Sequence, residues 1–326
     1  MALISTSDRN VEGMPRLLVL RALGLGDLLT AVPALRVLRD RYPGHERILA
    51  APAWLAPLVR LLDGAVDALV DVDFRDHVGV LPTEVRLPTV AVNLHGRGPA
   101  SHLALQATDP GALIAFENPD VAHDGPAWRV DEHERLRWCR LLGATASADD
   151  VRVRSPAIDV PDDVRRATII HPGAAAPARR WPVDRWAAVA RHELRRGRQV
   201  LVTGGADEVE LAKAVANGAG LGGTSVLAGR TDVGELAAVV DAAGRVVCGD
   251  TGVAHLASAF ATPSVVLFGP VSPTRWGPPR GGPHVALWAG TRGDPHAASP
   301  DRGLLGLTVD DVTRALDGLR GEPAPP

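Results

Sequence analysis

The apolar residues of this chain fall into short runs that alternate with amphipathic stretches. Near the N-terminus, the apolar run at residues 17–20 predicts a buried strand, and residues 21–27 predict a turn that contains two glycines. Residues 28–41 then carry apolar side chains at helical spacing, with charged side chains on the opposite face. A strand, a glycine turn and a helix in this order are typical of the opening unit of a doubly wound parallel sheet.

The same alternation continues through the rest of the chain. Strands are predicted at residues 48–51, 68–72, 89–94, 168–170, 199–203, 225–227, 245–248 and 264–268, and helices at residues 54–62, 131–142, 184–196, 208–217, 232–243, 255–260 and 309–319. Between the two halves, the steps Ser155-Pro156 and Val160-Pro161 are typical of a linker. We therefore predict an α/β chain of two doubly wound, Rossmann-like domains, residues 1–160 and 161–326, that face each other across a cleft.

Bulk composition is that of an ordinary soluble protein. Of 326 residues, 46% are apolar and 22% are charged, and the net charge of -3 indicates no nucleic-acid partner. Cys139 and Cys248 lie far apart, which indicates neither a disulfide framework nor a zinc site. The sequence shows no signal peptide and no apolar run of about 18 residues. We expect a cytoplasmic monomer, and we leave open a peripheral contact with the inner face of the membrane.

The turn Gly24-Leu25-Gly26-Asp27 is the first candidate for a functional site. Leu29 occupies the third glycine position of a dinucleotide-binding fingerprint, and no Gly-Lys-Ser/Thr of a Walker loop follows. What remains is a tight loop that leaves a carboxylate at the start of a helix. Asp27 is then either the N-cap of that helix or a general base that points into the cleft.

A second candidate is the run from Gly249 to His255, which follows a predicted strand and opens a predicted helix. Its small residues let the backbone approach a ligand, and free amides at a helix start bind phosphate. The triplet Asp250-Thr251-Gly252 also occurs in aspartic proteases, but those need two such carboxylates in β-rich lobes, and the pattern here has one copy in an α/β setting. A simple N-cap role for Asp250 or Thr251 is the alternative.

A third candidate joins His171-Pro172-Gly173-Ala174, at a predicted strand end, to Arg179-Arg180-Trp181. Arginine side chains neutralise phosphate and a tryptophan ring can pack beside them, so the set suits a nucleotide diphosphate. A solvated basic loop is the alternative interpretation.

Taken in order, these motifs resemble the heptosyltransferase family, glycosyltransferase family 9. The resemblance covers most of the chain, through residues 17–35, 92–96, 171–186, 203–208 and 248–270. Its most specific part is the run from Gly249 to Ala257, which is followed by Pro263 and by Phe268-Gly269-Pro270. The resemblance implies a GT-B fold with an acceptor-binding domain at residues 1–160 and a donor-binding domain at residues 161–326, whose last helix is free to pack back on the first domain.

The resemblance also implies an inverting, metal-independent glycosyltransferase that needs no cofactor and takes a nucleotide-diphosphate sugar, usually ADP-heptose, as co-substrate. Asp27 looks like the catalytic base. The donor- and phosphate-binding residues would be Arg179, Arg180, Glu208, Asp250, Thr251, Gly252 and His255, the donor-site loops would contain Gly26, His171, Gly173, Gly204 and Gly205, and the acceptor-side residues would be Asn93 and His95. Arg179 stands where the family commonly has a lysine, and Asn93 stands where an acidic residue is frequent.

Several points stay open at the level of sequence. The acceptor is expected to be a cell-surface glycan, a lipid-linked glycan or a small natural product. Asp71-Val72-Asp73 matches the D-x-D pattern by which another class of glycosyltransferases holds a metal ion, but a match of three residues arises easily by chance, and we predict no metal site. The alternatives to a transferase are a nucleotide-sugar epimerase or hydrolase and a non-catalytic protein that binds nucleotide sugars.

Overall fold

The computed structural model describes residues 3–145, 147 and 149–319. The chain divides into two compact units, one ending at Arg154 and one beginning at Ser155. This division lies a few residues before the boundary that we expected at residue 160. None of the helices in the described ranges is long and apolar enough to cross a membrane.

The first unit is built on a six-stranded sheet with helices packed on it. Its strands are β1 (Ile4–Ser5), β2 (Arg16–Leu20), β3 (Glu46–Ala51), β4 (Ala68–Asp71), β5 (Val90–Asn93) and β6 (Leu113–Ile114), in the spatial order β1-β4-β3-β2-β5-β6. Its helices are α1 (Leu25–Arg41), α2 (Ala56–Val59), α3 (Ala100–Gln106) and α4 (Glu134–Leu141). All neighbouring strands are parallel except the pair formed by β1 and β4.

The second unit contains a five-stranded, wholly parallel sheet. Its strands are β7 (Thr168–His171), β8 (Val200–Val202), β9 (Arg245–Gly249), β10 (Ser264–Phe268) and β11 (His284–Trp288), in the order β11-β10-β9-β7-β8. Its helices are α5 (Val183–Arg195), α6 (Val209–Ala219), α7 (Val233–Ala242), α8 (Gly252–Phe260), α9 (Pro273–Trp276), α10 (Arg302–Gly306) and α11 (Val309–Asp317).

Burial explains why these segments form these elements. Strands β3, β5, β7, β9 and β10 are buried along their whole length, as expected for parallel strands covered by helices on both faces. Helix α5 turns Trp186, Val189 and Ala190 into the core, at the predicted helical spacing. Helix α11, for which we left open packing on the first domain, buries Val312 and Leu316 in the core of its own unit.

The two sheets share one topological feature that matters for function. In the first unit the opening strand β2 lies in the middle, with β3 on one side and β5 on the other. In the second unit the opening strand β7 lies between β8 and β9 in the same way. The strand order therefore reverses between β2 and β5 and between β7 and β9, and ligands of open α/β sheets bind beyond the carboxyl ends of the strands at such points.

The predicted elements differ from the observed ones mainly where they are short. The predicted strand at residues 225–227 is only an isolated bridge between Val202 and Val226. The predicted helix at residues 54–62 reduces to α2 and a preceding 3-10 turn. Helix α1 begins at Leu25, one turn earlier than predicted, which changes the position of Asp27 within it. Asp232 and Glu235 form a capping box at the start of α7, since each side chain accepts the other's backbone amide.

Candidate active site

The loop that follows β2 leads directly into α1 and carries Asp27. Gly24, not Asp27, is the N-cap, and Asp27 is the third residue of the helix, so the N-cap interpretation of Asp27 is wrong. One carboxylate oxygen of Asp27, Oδ2, accepts the amide of Gly24 at 3.3 Å. The side chain keeps 29% of its surface exposed. Gly26 lies beside it in the same first turn.

Arg21, the first residue after β2, is only 1% exposed and bonds the other side of Asp27. Its Nη2 lies 3.2 Å from Oδ1 of Asp27, and its Nε donates to the backbone oxygen of Asp27 at 3.0 Å. Its Nη1 donates to the backbone oxygen of Leu94, just after β5, at 2.5 Å. Arg21 therefore ties together the two loops at the point where the strand order of the first sheet reverses.

The loop after β5 contains the two predicted acceptor-side residues. The Asn93 side chain is fully buried: its Oδ1 accepts the amides of His95 and Gly96, and its Nδ2 donates to Oγ of Ser101. Asn93 therefore braces this loop, and the structure gives it no free polar atom with which to touch an acceptor directly.

His95 differs from Asn93 because its ring has unused hydrogen-bonding capacity. The ring lies edge-on to Phe74, with centroids 6.1 Å apart, and its Nδ1 is buried without a partner among the described residues. Burial lowers the pKa of His95 to about 4, and the positive charge of Arg21 acts in the same direction. At neutral pH the imidazole is uncharged, so it can exchange hydrogen bonds with a hydroxyl group without adding charge.

In the second unit, the loops after β7 and β8 meet at Glu208. The carboxylate of Glu208 accepts the amide of Gly205 at 2.9 Å and lies 3.9 Å from Nε2 of His171. A Cβ atom on Gly173 would come within 2.0 Å of this carboxylate, and one on Gly204 within 3.1 Å of the Glu208 Cβ. These glycines therefore make room for Glu208.

His171 completes this arrangement from the end of β7. Its Nδ1 lies 3.0 Å from Oγ1 of Thr203, the residue after β8, so the ring joins neighbouring strand ends. Burial lowers the pKa of His171, while the nearby carboxylate of Glu208 acts against that shift. The geometry gives Glu208 and His171 the role of fixing two loops at the sheet edge.

Asp250 follows β9, next to β7 in the sheet. The residue is buried, with 8% of its surface exposed. Burial raises the pKa of Asp250 to about 6, although the positive charge of Arg179 acts in the opposite direction. Thr251 is the N-cap of α8, because its hydroxyl accepts the amide of Val253 at 3.2 Å, and Gly252 opens the helix.

Arg179 reaches the same place from the loop after β7. Its Nη1 lies 3.4 Å from the backbone oxygen of Asp250, and its Nε is buried without a partner among the described residues. The guanidinium therefore has donors to spare beside the N-terminus of α8, where an anion is favoured. Arg180, by contrast, donates its Nε to the backbone oxygen of Ala174 at 2.9 Å and braces its own loop.

His255 lies one turn into α8. Its ring packs edge-on against Trp276 of α9, with centroids 5.9 Å apart, so the loops after β9 and β10 also meet. The donor-site residues predicted in the second unit thus fall on loops after β7, β8 and β9, at one edge of the sheet.

The acidic pair in the D-x-D pattern is engaged in local contacts. Oδ1 of Asp71 accepts the amide of Ala53 at 2.8 Å, and Asp73 pairs with Arg75 at 2.6 Å. Across the described ranges, no three His, Cys, Asp or Glu side chains are grouped so that they could hold a metal ion.

Two residues of these sites were not found from the sequence. Arg21 was counted as part of a turn, although an arginine directly after an apolar strand, in the same loop as a candidate carboxylate, is a usable signal. Trp276 lay beyond the motif that ends at Pro270, and nothing in its spacing indicated its contact with His255.

Two Rossmann-like domains in one chain, each with its polar residues on the loops where the strand order reverses, define the GT-B class of fold. Residues 143–297 match the model of glycosyltransferase family 9 (heptosyltransferase). The chain is 24% identical over 295 residues to lipopolysaccharide heptosyltransferase 2 of Salmonella typhimurium. The alignment covers 79% of this chain and 84% of that protein.

Solved structures agree with this match. The family 9 glycosyl transferase from Veillonella parvula has a TM-score of 0.76 at 19% identity, covering 94% of this chain and 97% of the other. The ADP-heptose lipopolysaccharide heptosyltransferase II of E. coli has a TM-score of 0.71 at 20% identity, covering 93% and 98%. The predicted resemblance to the heptosyltransferases of glycosyltransferase family 9 is therefore confirmed, and these relatives are glycosyltransferases.

Proposed function

We propose that this enzyme transfers a heptose from ADP-heptose to a hydroxyl group of a cell-surface glycan, a glycolipid or a small natural product, with inversion at the anomeric carbon and without a metal ion. The names of its relatives support the assignment of heptose as the sugar and ADP as the nucleotide of the donor. These relatives are lipopolysaccharide heptosyltransferases, and one of them is named for ADP-heptose. The observation that carries the proposal is Asp27, a carboxylate bonded on both oxygens and still accessible.

In this mechanism the acceptor hydroxyl attacks the anomeric carbon on the face opposite the leaving diphosphate. Asp27 takes the proton of that hydroxyl as the new glycosidic bond forms, a contribution worth about 10²–10⁴-fold in rate. A carboxylate suits this step because its unused lone pairs can accept the proton, and 29% of the Asp27 side chain is open to a substrate.

The leaving group gains negative charge while the sugar develops oxocarbenium character. In the proposal the half-buried guanidinium of Arg179 binds the diphosphate, and the N-terminus of α8 at Thr251 and Gly252 adds backbone amides and the helix dipole. The guanidinium and the helix N-terminus then stabilise the diphosphate without a metal ion. Glu208 and His171 keep the neighbouring loops in place.

The direct test incubates the purified protein with ADP-heptose and lipopolysaccharide core oligosaccharide, with mass spectrometry as the readout. We expect the oligosaccharide to gain the mass of one heptose residue, and NMR of the product to show an inverted anomeric centre. Free heptose without product would identify a hydrolase, a changed donor sugar an epimerase, and unchanged donor with measurable affinity a binding protein.

Two further arms test the finer parts of the proposal. Activity should persist in EDTA; loss of activity that Mn²⁺ restores would contradict metal independence. Thermal shifts with ADP-, GDP- and UDP-sugars should be largest for the ADP-sugars, and a larger shift with another nucleotide would overturn the donor assignment.

A further inference from the structure

Arg21 is an unusual residue to find at 1% exposure, since arginine is rarely buried so completely unless it is paired. Its guanidinium lies 4.7 Å from the centroid of the Trp138 ring, so one face is covered by an aromatic side chain. The cost of burying this charge must be offset by its bonds, and those bonds show what the side chain does.

The bonds of Arg21 converge on Asp27. Nη2 contacts Oδ1 of Asp27 at 3.2 Å and Oγ1 of Thr30 at 3.2 Å, and Nε donates to the backbone oxygen of Asp27 at 3.0 Å. The Thr30 hydroxyl donates to that same backbone oxygen at 2.9 Å. Arg21 therefore contacts both the main chain and the carboxylate of Asp27, which restricts how the carboxylate can rotate.

The position of Arg21 is fixed in turn by groups outside α1. Nη1 donates to the backbone oxygen of Leu94 at 2.5 Å, and Nη2 lies 3.5 Å from Oε1 of Glu134, which is 6% exposed at the start of α4. Glu134 also pairs with Arg137, whose guanidinium lies 4.0 Å from the centroid of the Trp128 ring. The charges alternate along this row, from the accessible Asp27 through the buried side chains of Arg21, Glu134 and Arg137.

We propose that Arg21, secured by Glu134, is a positioning residue that holds the Asp27 carboxylate in the one orientation from which it can take the acceptor's proton. This inference rests on the proposed function, because it concerns the base of that reaction. The branched guanidinium group of Arg21 is essential to this inference. A lysine would supply the charge but not the simultaneous bonds to Asp27, Thr30 and Leu94.

The test compares Arg21→Gln and Arg21→Lys in the ADP-heptose assay with lipopolysaccharide core oligosaccharide. We expect kcat to fall about 10- to 100-fold in Arg21→Gln, since small misplacement of a catalytic group costs up to about 100-fold, with the donor KM changed less than about twofold. Arg21→Lys should recover only part of kcat. Glu134→Gln, which leaves Arg21 in place, should lower kcat by a smaller factor. This variant provides the test of the inference if the Arg21 variants do not fold.

Arg47→Gln is the matched control. Arg47 is another buried arginine of the same sheet, and its Nη2 contacts Asp67 at 2.9 Å, but it lies on β3 away from Asp27. It should lower thermal stability and leave kcat near the parental value. Equal losses of kcat in the Arg47 and Arg21 variants would show that Arg21 only stabilises the fold and does not position Asp27.

A double variant separates positioning from any other effect of Arg21. If Arg21 acts through Asp27, Arg21→Gln should lower kcat in the parent and change it little in an Asp27→Asn background. The same fold-loss in both backgrounds would overturn the inference. Full activity of Asp27→Asn alone would instead contradict the proposed function, so the two failures are distinguishable.

Discussion

The points where the strand order reverses in the two sheets are built alike, but they bury opposite charges. In the first unit an arginine, Arg21, is buried and a carboxylate, Asp27, remains accessible beside it. In the second unit a carboxylate, Asp250, is buried and an arginine, Arg179, is only half-buried beside it. In each pair the buried member belongs to the scaffold, and the accessible member is the one suited to meet a substrate.

This opposite placement of the buried and accessible charges in the two units matches what each unit would have to bind. An accessible carboxylate can accept a proton from a hydroxyl group, whereas an accessible guanidinium can neutralise a phosphate. In the proposed function the same topology thus supplies a base in one unit and an anion site in the other, and the two units differ in the sign of the charge that is buried. Three experiments test this comparison, beginning with the largest expected effect.

Asp27→Asn should lower kcat by about 100- to 10,000-fold, because asparagine has the same shape but cannot take a proton. Donor affinity should change little, since the substitution lies outside the second unit. Steady-state kinetics with varied ADP-heptose measures both quantities. Asp40→Asn, an exposed carboxylate near the end of the same helix, is the control and should keep parental activity. Turnover of Asp27→Asn at the parental rate would show that Asp27 is not the catalytic base.

Asp250→Asn tests the buried carboxylate through the pH dependence of stability. Because the folded-state pKa of Asp250 is raised from 3.8 to about 6, the fold favours the protonated form, and its contribution is complete below about pH 4 and is lost as pH rises through about 6. Asparagine does not titrate. Relative to the parent, the variant should therefore gain up to roughly 3 kcal/mol in free energy of unfolding between pH 4 and pH 7.

Urea denaturation of the parent and Asp250→Asn at several pH values measures this difference. A difference that stays constant from pH 4 to pH 7 would show that Asp250 does not titrate as its burial predicts.

Arg179→Ala tests the accessible arginine and should raise the donor KM about 10- to 100-fold, the range expected for losing charge-assisted hydrogen bonds. Arg179→Lys should recover part of this loss, since it keeps the charge but not the fork. Arg180→Ala is the control: that side chain bonds Ala174, and its loss should change the donor KM less than about threefold. Equal effects at both positions would mean that only the net positive charge of the loop matters.

The sequence predicted the doubly wound fold because apolar runs of strand length alternate with helical periodicity, and that periodicity depends on local positions. Residues such as Asp27, Arg179 and Asp250 could be selected because each lies in a short polar or glycine-containing segment between a predicted strand and the next predicted helix. The sequence could not distinguish the side chains that hold a loop in place from the side chains that would contact a substrate. Arg180 was selected in the same way and Asn93 through the family resemblance, and the structure shows Arg180 bonded to Ala174 of its own loop and Asn93 bonded to the amide of His95.

By itself, then, the sequence determined most of the strands and helices and which of the segments between them carry polar residues, since these depend on neighbours along the chain. The tertiary structure decided the order of strands in each sheet, and with it that Arg21 meets Leu94 and Glu134 across 73 and 113 positions of sequence. It also decided which charge of each pair is buried. Burial depends on what packs around a side chain from distant segments, and no local pattern of residues records that.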